Sequence, residues 1–304
     1  MSHRVLITGI SGFVGRHITK ELLKHKDVEI MGFDRGGIES FGKSVSVNQV
    51  NLLDKQKLNQ VISEFKPTSV LHLAAIASPV YGNVGELYDI NIHGSENLLE
   101  VLYDVCDNGT RVILVSTAGV YGNSGVDFDI EDKTPYNPAN HYSFSKMVME
   151  YISKTYTDKL DIKIVRPFNM IGVGQNENFL IPKLVKAFAT KQPKLEVGNM
   201  DTYRDFVDID FAAKFFAKLL LTPKVEYNVI NLCAGHGTTG NEILGMLKEI
   251  TKYSPKVTVN PAFVRKNEIM RLVGDPTRCN KFINDEFKTK TVRTILEDMV
   301  KQYS

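Results

Sequence analysis

The chain has 304 residues, 43% of them hydrophobic and 24% charged, enough to bury a large core as one large domain or two smaller ones. Thirty-seven Lys and Arg against 35 Asp and Glu leave a net charge of +2 with no basic block. This argues against nucleic acid or an anionic membrane as partner and for a small molecule. Cys106, Cys233 and Cys279 are far apart and odd in number, which excludes a disulfide framework or a cysteine metal site and suggests a reducing, cytoplasmic setting with no metal.

Short β-branched runs alternate with amphipathic stretches, the pattern of a parallel sheet with crossover helices. Strands are expected at residues 5–8, 28–33, 45–50, 69–73, 112–116 and 162–166, with helices near 14–24, 55–64, 87–104 and 143–157. No signal peptide is expected, because strand-like residues begin at Val5, and no apolar run is long enough to span a bilayer. Six such units make a doubly wound α/β domain over 1–168. After Pro167 the chain becomes rich in Gly, Asn and Pro. A helix is expected near 182–190, a strand near 194–197, a helix near 210–221 and a strand near 227–232. A further helix starts with Thr239 and Glu242 at capping-box spacing. Residues 169–304 then form a smaller C-terminal α/β domain, with 208–233 returning to the first.

The segment from Val5 to Gly15 runs from a strand into a helix through Gly9, Gly12 and Gly15. These suit a tight turn, backbone approach to a pyrophosphate and close helix–strand packing, with phosphates at the helix N-terminus. The second strand ends in Asp34, whose carboxylate suits the hydroxyls of an adenosine ribose and favours NAD(H). Arg35 beside it could instead bind the 2′-phosphate of NADP(H). Further on, Tyr142 and Lys146 lie four residues apart and share a helix face. A free phenol has a pKa of about 10, so Lys146 and an oxidised nicotinamide are expected to lower it and make Tyr142 an acid–base group. The pair follows Ser116 and Thr117, which end the fifth strand at the edge where ligands sit.

Taken together, Thr8–Gly15, Leu73-Ala74-Ala75, Asn91, Ser116-Thr117 with Val120-Tyr121-Gly122, and Tyr142 with Lys146 resemble the extended short-chain dehydrogenase/reductase family acting on nucleotide sugars. The resemblance covers nearly the whole chain and implies a Rossmann domain followed by a nucleotide-sugar-binding domain. It implies Thr117 and Tyr142 on the substrate oxygen and Lys146 on the cofactor ribose. Ser11, Phe13 and Val14 of the glycine loop, Leu73, Ala74, Ala75, Ala77, Asn91, Ser116 and Phe168 would line the cofactor. Asn51 and Leu52 would lie beside the adenine, although the family often has Asp where Asn51 stands. Asn169 and Arg204 would reach the substrate diphosphate, as would Arg265, with Glu268 on the nucleotide ribose and Ser78 also on the substrate. A homodimer through 87–104 and 143–157 is a further implication.

Dehydratases of the family carry an acidic residue two places after the catalytic Thr, where this chain has Ala118 and then Gly119. The loops at 166–175, 197–208 and 272–276 look most like reductases of GDP-4-keto-6-deoxy-D-mannose, which yield GDP-rhamnose. Reduction of a GDP-4-keto-6-deoxyhexose is therefore expected, with an NAD-dependent nucleotide-sugar 4-epimerase as the alternative. A non-catalytic NAD(P)-sensing regulator on the same fold is a third reading, disfavoured by retention of Thr117, Tyr142 and Lys146.

Overall fold

The computed structural model describes residues 3–36, 41–42, 44–78, 81–125, 129–264 and 267–303. Its strands are β1 (His3–Thr8), β2 (Val28–Asp34), β3 (Val45–Gln49), β4 (Ser69–His72), β5 (Arg111–Val115), β6 (Asp161–Pro167), β7 (Asn169–Ile171), β8 (Lys194–Val197), β9 (Tyr203–Asp208), β10 (Val229–Leu232), β11 (Gly237–Thr239), β12 (Lys256–Val259) and β13 (Arg271–Leu272). The α-helices are α1 (Phe13–Leu22), α2 (Lys55–Phe65), α3 (Val84–Tyr88), α4 (Gly94–Val105), α5 (His141–Ser153), α6 (Leu180–Ala189), α7 (Ile209–Leu221), α8 (Gly240–Thr251), α9 (Thr277–Ile283) and α10 (Val292–Lys301).

Seven strands form a sheet in the order β10-β6-β5-β4-β1-β2-β3. Every residue of β4 and β5 is buried, as expected of strands covered on both faces. The chain leaves β1 towards β2 and returns on its other side with β4. The carboxyl ends of β1 and β4 thus form the switch point where ligands of doubly wound sheets bind. The expected strands all form. The seventh, β10, joins beyond β6, with the N–H groups of Ile164 and Phe168 donating to the carbonyls of Asn228 and Leu232.

Helix boundaries follow local capping. Asp54 accepts the N–H of Lys57 to start α2, which stops at Lys66 in a left-handed conformation (φ 48°). Asn140 accepts the N–H of Ser143 to start α5. The capping box at Thr239 and Glu242 forms as the spacing predicts. The stretch 87–104 differs from expectation. It is α3, then a π-helical turn over Asp89–His93, then α4. Such a turn inserts one residue into the helical register, and here it turns Asn91 into full burial.

The chain divides into two compact units. One holds the residues up to Val120 with Asn140–Arg166 and Ala213–Ile230; the other holds Tyr121–Ala139, Pro167–Ala212 and the residues from Asn231 on. The first is built around Leu6, Phe33, Leu58, Ile62, Leu98, Val112 and Ile164. The second has its own core of Leu184, Phe188, Leu195, Phe206, Leu247 and Leu296. Its small sheet places β9 between β11 and β13, with β7 also paired to β9, while β8 pairs with β12. Sequence reading expects only β8 among these segments; β7, β11 and β13, of two or three residues, are too short to show alternation. Among the described residues no helix is long and apolar enough to cross a membrane.

Candidate active site

The glycine loop forms a cradle. Gly9 has φ +71°, and a Cβ there would lie 2.9 Å from the backbone nitrogen of Ala74, so the loops after β1 and β4 touch backbone to backbone. A Cβ on Gly15 would fall 2.5 Å from the carbonyl oxygen of Ile10, which ties the start of α1 to the loop beneath it. No side chain caps α1 at Gly12, and the Ser11 hydroxyl is buried with no partner. Uncapped N–H groups, an orphaned hydroxyl and a backbone free of side chains fit the pyrophosphate of a dinucleotide.

Asp34 accepts N–H bonds from Ser11 (3.1 Å) and Gly36 (3.0 Å), which fixes its carboxylate beside the cradle. Arg35 pairs with Glu86 at 3.1 Å, and Glu86 also takes the Tyr81 hydroxyl at 2.6 Å. The Asn51 side chain accepts the N–H of Leu53, and buried Leu52 offers its carbonyl to Asn97. Leu73, Ala74 and Ala75 are half-buried, Ala77 is exposed, and Ser78 is half-buried with its carbonyl bonded to the N–H of Tyr81. Asn91 clamps Ile76 on both sides: its Oδ1 accepts the Ile76 N–H at 2.8 Å and its Nδ2 donates to the Ile76 carbonyl at 3.2 Å.

Thr117, two residues past β5, comes together with Tyr142 and Lys146 of α5. Thr117 Oγ1 accepts the N–H of Gly119 at 3.1 Å and shares a side-chain hydrogen bond with Tyr142. Lys146 is buried and its Nζ donates to the Val115 carbonyl at 2.8 Å. Burial pushes the Tyr142 phenol up to about 12, with the Thr117 bond acting against it. The expected lowering concerns the complex with an oxidised nicotinamide; in the protein alone, desolvation of the phenolate is the larger influence. Burial also pulls Lys146 down to about 8, against the field of Glu150.

Position 119 is tightly enclosed. A Cβ on Gly119 would lie 2.4 Å from the Ser143 hydroxyl, so α5 approaches where an acidic side chain would otherwise stand. Ser116 is occupied too, since its hydroxyl donates to Glu150 Oε1. Glu150 in turn binds Arg166 bidentately, with NH2 to Oε2 at 2.6 Å and Nε to Oε1 at 3.0 Å. Sequence reading missed this fully buried pair, although Glu150 stands four residues after Lys146, one turn further along the same face.

In the second unit Phe168 is buried, its ring tip lying 2.7 Å from where a Cβ on Gly274 would be. Asn169 on β7 lies opposite Phe206 on β9, two residues past Arg204, and its side-chain nitrogen is buried with no partner. Arg204 donates to the Tyr203 carbonyl at 2.9 Å, and Glu268 is half-buried with its carbonyl accepting from Asn123. Arg265 lies outside the described residues. Asp205, which sequence reading did not single out, accepts N–H bonds from Ala234 and Gly235 at 2.8 Å and from Gly274 at 3.3 Å. Burial pushes it up to about 6.

Residues 5–233 match the NAD dependent epimerase/dehydratase family. The chain belongs to that family. It is 34% identical over 298 residues to a GDP-6-deoxy-D-talose 4-dehydrogenase of Aggregatibacter actinomycetemcomitans, covering 98% of this chain and 97% of the relative. It is 27% identical to a GDP-6-deoxy-D-mannose reductase of Pseudomonas aeruginosa, covering 91% and 90%. The solved structure of the Thermus thermophilus UDP-glucose 4-epimerase complex with NAD superposes with TM-score 0.84 at 26% identity, over 99% of this chain and 98% of that one. The protein is therefore a nucleotide-sugar-modifying, NAD(P)-dependent enzyme of the short-chain dehydrogenase/reductase type.

Proposed function

We propose that the chain reduces the 4-keto group of a GDP-4-keto-6-deoxyhexose with NADH. The observation that carries this reading is the gathering of Thr117, the half-buried Tyr142 phenol and Lys146 at the carboxyl end of β5, with Tyr142 hydrogen-bonded to Thr117. In ketone reduction such a phenol donates its proton to the oxygen that becomes alkoxide. Gly119 stands against the Ser143 hydroxyl at the position where a dehydratase carries its acid.

Thr117 and Tyr142 hold the sugar's C4 oxygen, and Tyr142 passes its proton to it. Lys146 secures the nicotinamide ribose and offsets phenolate charge once the proton has left. The nicotinamide, when bound, supplies the hydride, so ketone, NADH and one proton give alcohol and NAD⁺. The glycine cradle holds the pyrophosphate and Asp34 the adenosine ribose. Because Arg35 is turned to Glu86, NADH is favoured over NADPH. Asn169, whose amide nitrogen lacks a partner, Arg204 and Arg265 take the substrate diphosphate, with Glu268 on the nucleotide ribose.

GDP as the nucleotide is supported by the two relatives named for GDP-6-deoxyhexoses. Their sugars, 6-deoxy-D-talose and 6-deoxy-D-mannose (rhamnose), differ at C4 alone, and the product belongs to this pair. The likeness to a UDP-glucose 4-epimerase favours one second reading, epimerisation with retained NAD. Incubation with GDP-4-keto-6-deoxymannose and, separately, UDP-glucose decides between them. Stoichiometric NADH consumption and a GDP-6-deoxyhexose product are expected; interconversion of UDP-glucose and UDP-galactose with no NADH consumed overturns the reductase reading. A homodimer is consistent with Phe144 and Tyr151 of α5 remaining 43% and 51% exposed. Three free, buried cysteines suit a cytoplasmic setting.

A further inference from the structure

His72 ends β4 as a fully buried imidazole after the apolar Val70 and Leu71, opposite its register partner Thr8 at the end of β1. A buried polar group is tolerated when its hydrogen bonds are satisfied, and both ring nitrogens are: Nδ1 lies 2.8 Å from Thr8 Oγ1 and Nε2 lies 2.8 Å from Ser95 Oγ. The neighbours settle the direction of each bond. Ser95 spends its own proton on the Asn91 carbonyl (2.7 Å), so it accepts from Nε2–H. Nδ1 of the neutral ring then accepts from the Thr8 hydroxyl, whose oxygen receives the Ala74 N–H at 3.1 Å. On the far side, Asn91 Nδ2 donates to Ser145 Oγ at 3.0 Å, and Ser145 donates to the Tyr142 carbonyl at 2.7 Å.

The result is a run of buried and part-buried bonds joined through the Asn91 residue. It starts where the loops after β1 and β4 touch, passes the π-helical turn that carries Asn91, and ends at the backbone of Tyr142. We propose that His72, held as the neutral Nε2–H tautomer, is a positioning residue that joins the cofactor cradle to the placement of Tyr142. Its Nδ1 half keeps Thr8 and Ala74 in place under the glycine loop; its Nε2 half keeps Ser95 and Asn91, and through them the first turn of α5. Burial and the charge of Lys146 hold His72 down to about 3, so the ring stays neutral wherever the enzyme works. The assignment rests on the cofactor and Tyr142 roles given under Proposed function, and its first two tests need no sugar.

Ring-labelled ¹⁵N-histidine spectra of the ligand-free protein, with His72 identified by the signal missing in His72→Gln, should show Nε2–H and no titration from pH 5.5 to 8.5. An Nδ1–H tautomer or a titrating ring overturns the proposal. The two halves then separate by substitution. His72→Asn keeps an acceptor near Nδ1 and loses the donor to Ser95; His72→Gln does the reverse. One lost buried bond is worth about tenfold. NADH affinity, measured without sugar, should therefore fall about tenfold in His72→Gln and stay near wild type in His72→Asn. Turnover at saturating NADH should fall about tenfold in His72→Asn.

Thr8→Val and Ser95→Ala repeat the split without touching the ring, should the imidazole variants fail to fold. Thr8→Val is expected to weaken NADH, and Ser95→Ala to lower turnover with NADH affinity kept. Equal losses on both sides, or none on either, overturn the assignment of the two ring nitrogens to these roles. A wild-type protein that binds NADH but leaves the keto sugar unchanged removes the proposed reaction, while the tautomer and affinity arms still decide the role of His72.

Discussion

Tyr142 shows how a single side chain's environment shifts its intrinsic chemistry. The Tyr–Lys spacing is plain in the sequence, but the direction of the phenol's shift is not, because desolvation is a property of what packs around it. Replacing Tyr142 with Phe should lower turnover by roughly 10²-fold or more. NADH affinity should hardly change; near-normal turnover would remove Tyr142 from the reaction. Lys146 makes a prediction in stability. Its native pKa of about 8 lies below the unfolded value of 10.5, so between those two pH values the unfolded chain binds more protons and stability rises with pH. The difference in unfolding free energy, wild type minus Lys146→Met, should therefore increase by up to about 3 kcal/mol as pH is raised from 8 to 10.5. Denaturant titrations at several pH values check this, and a flat difference would contradict it.

At the scale of elements, α5 is fastened to β5 and β6 by charged side chains that never reach solvent. Lys146 donates to Val115, and one turn later Glu150 binds both Ser116 and Arg166. Removing one partner strands the other charge in the interior. Glu150→Met is thus expected to cost about 3–5 kcal/mol, whereas Glu150→Met with Arg166→Met should cost clearly less than the sum of the two single changes. Chemical denaturation of the three variants measures it; additive losses would show that the pair acts as two independent side chains. The helix expected over 87–104 illustrates the complementary point. Its apolar periodicity is legible, but the π-helical turn at Asp89–His93 is not. Its position goes with long-range packing: Asn91 bonds to Ile76 and Ser145, and Gly94 presses on Leu52.

For the whole molecule, the cradle, Asp34 and the Thr117–Tyr142–Lys146 group all lie in the first compact unit. NADH alone should therefore stabilise the protein. At a concentration 100 times its Kd the gain is about 2.7 kcal/mol, read as a rise in the unfolding midpoint. An unchanged midpoint would count against the cradle as a cofactor site.

The sequence by itself determined the doubly wound sheet, the glycine turn, the acid at the end of β2 and the Tyr–Lys helix, because strand runs, turn residues and i, i+4 pairs are local patterns. Only the tertiary structure decided that Gly119 faces Ser143, that Ser116 belongs to Glu150, that Arg35 turns to Glu86 and that His72 joins Thr8 to Ser95. Each of those contacts joins residues 23 to 64 positions apart. What a buried polar group does depends on the partner that satisfies it, and no local pattern names that partner.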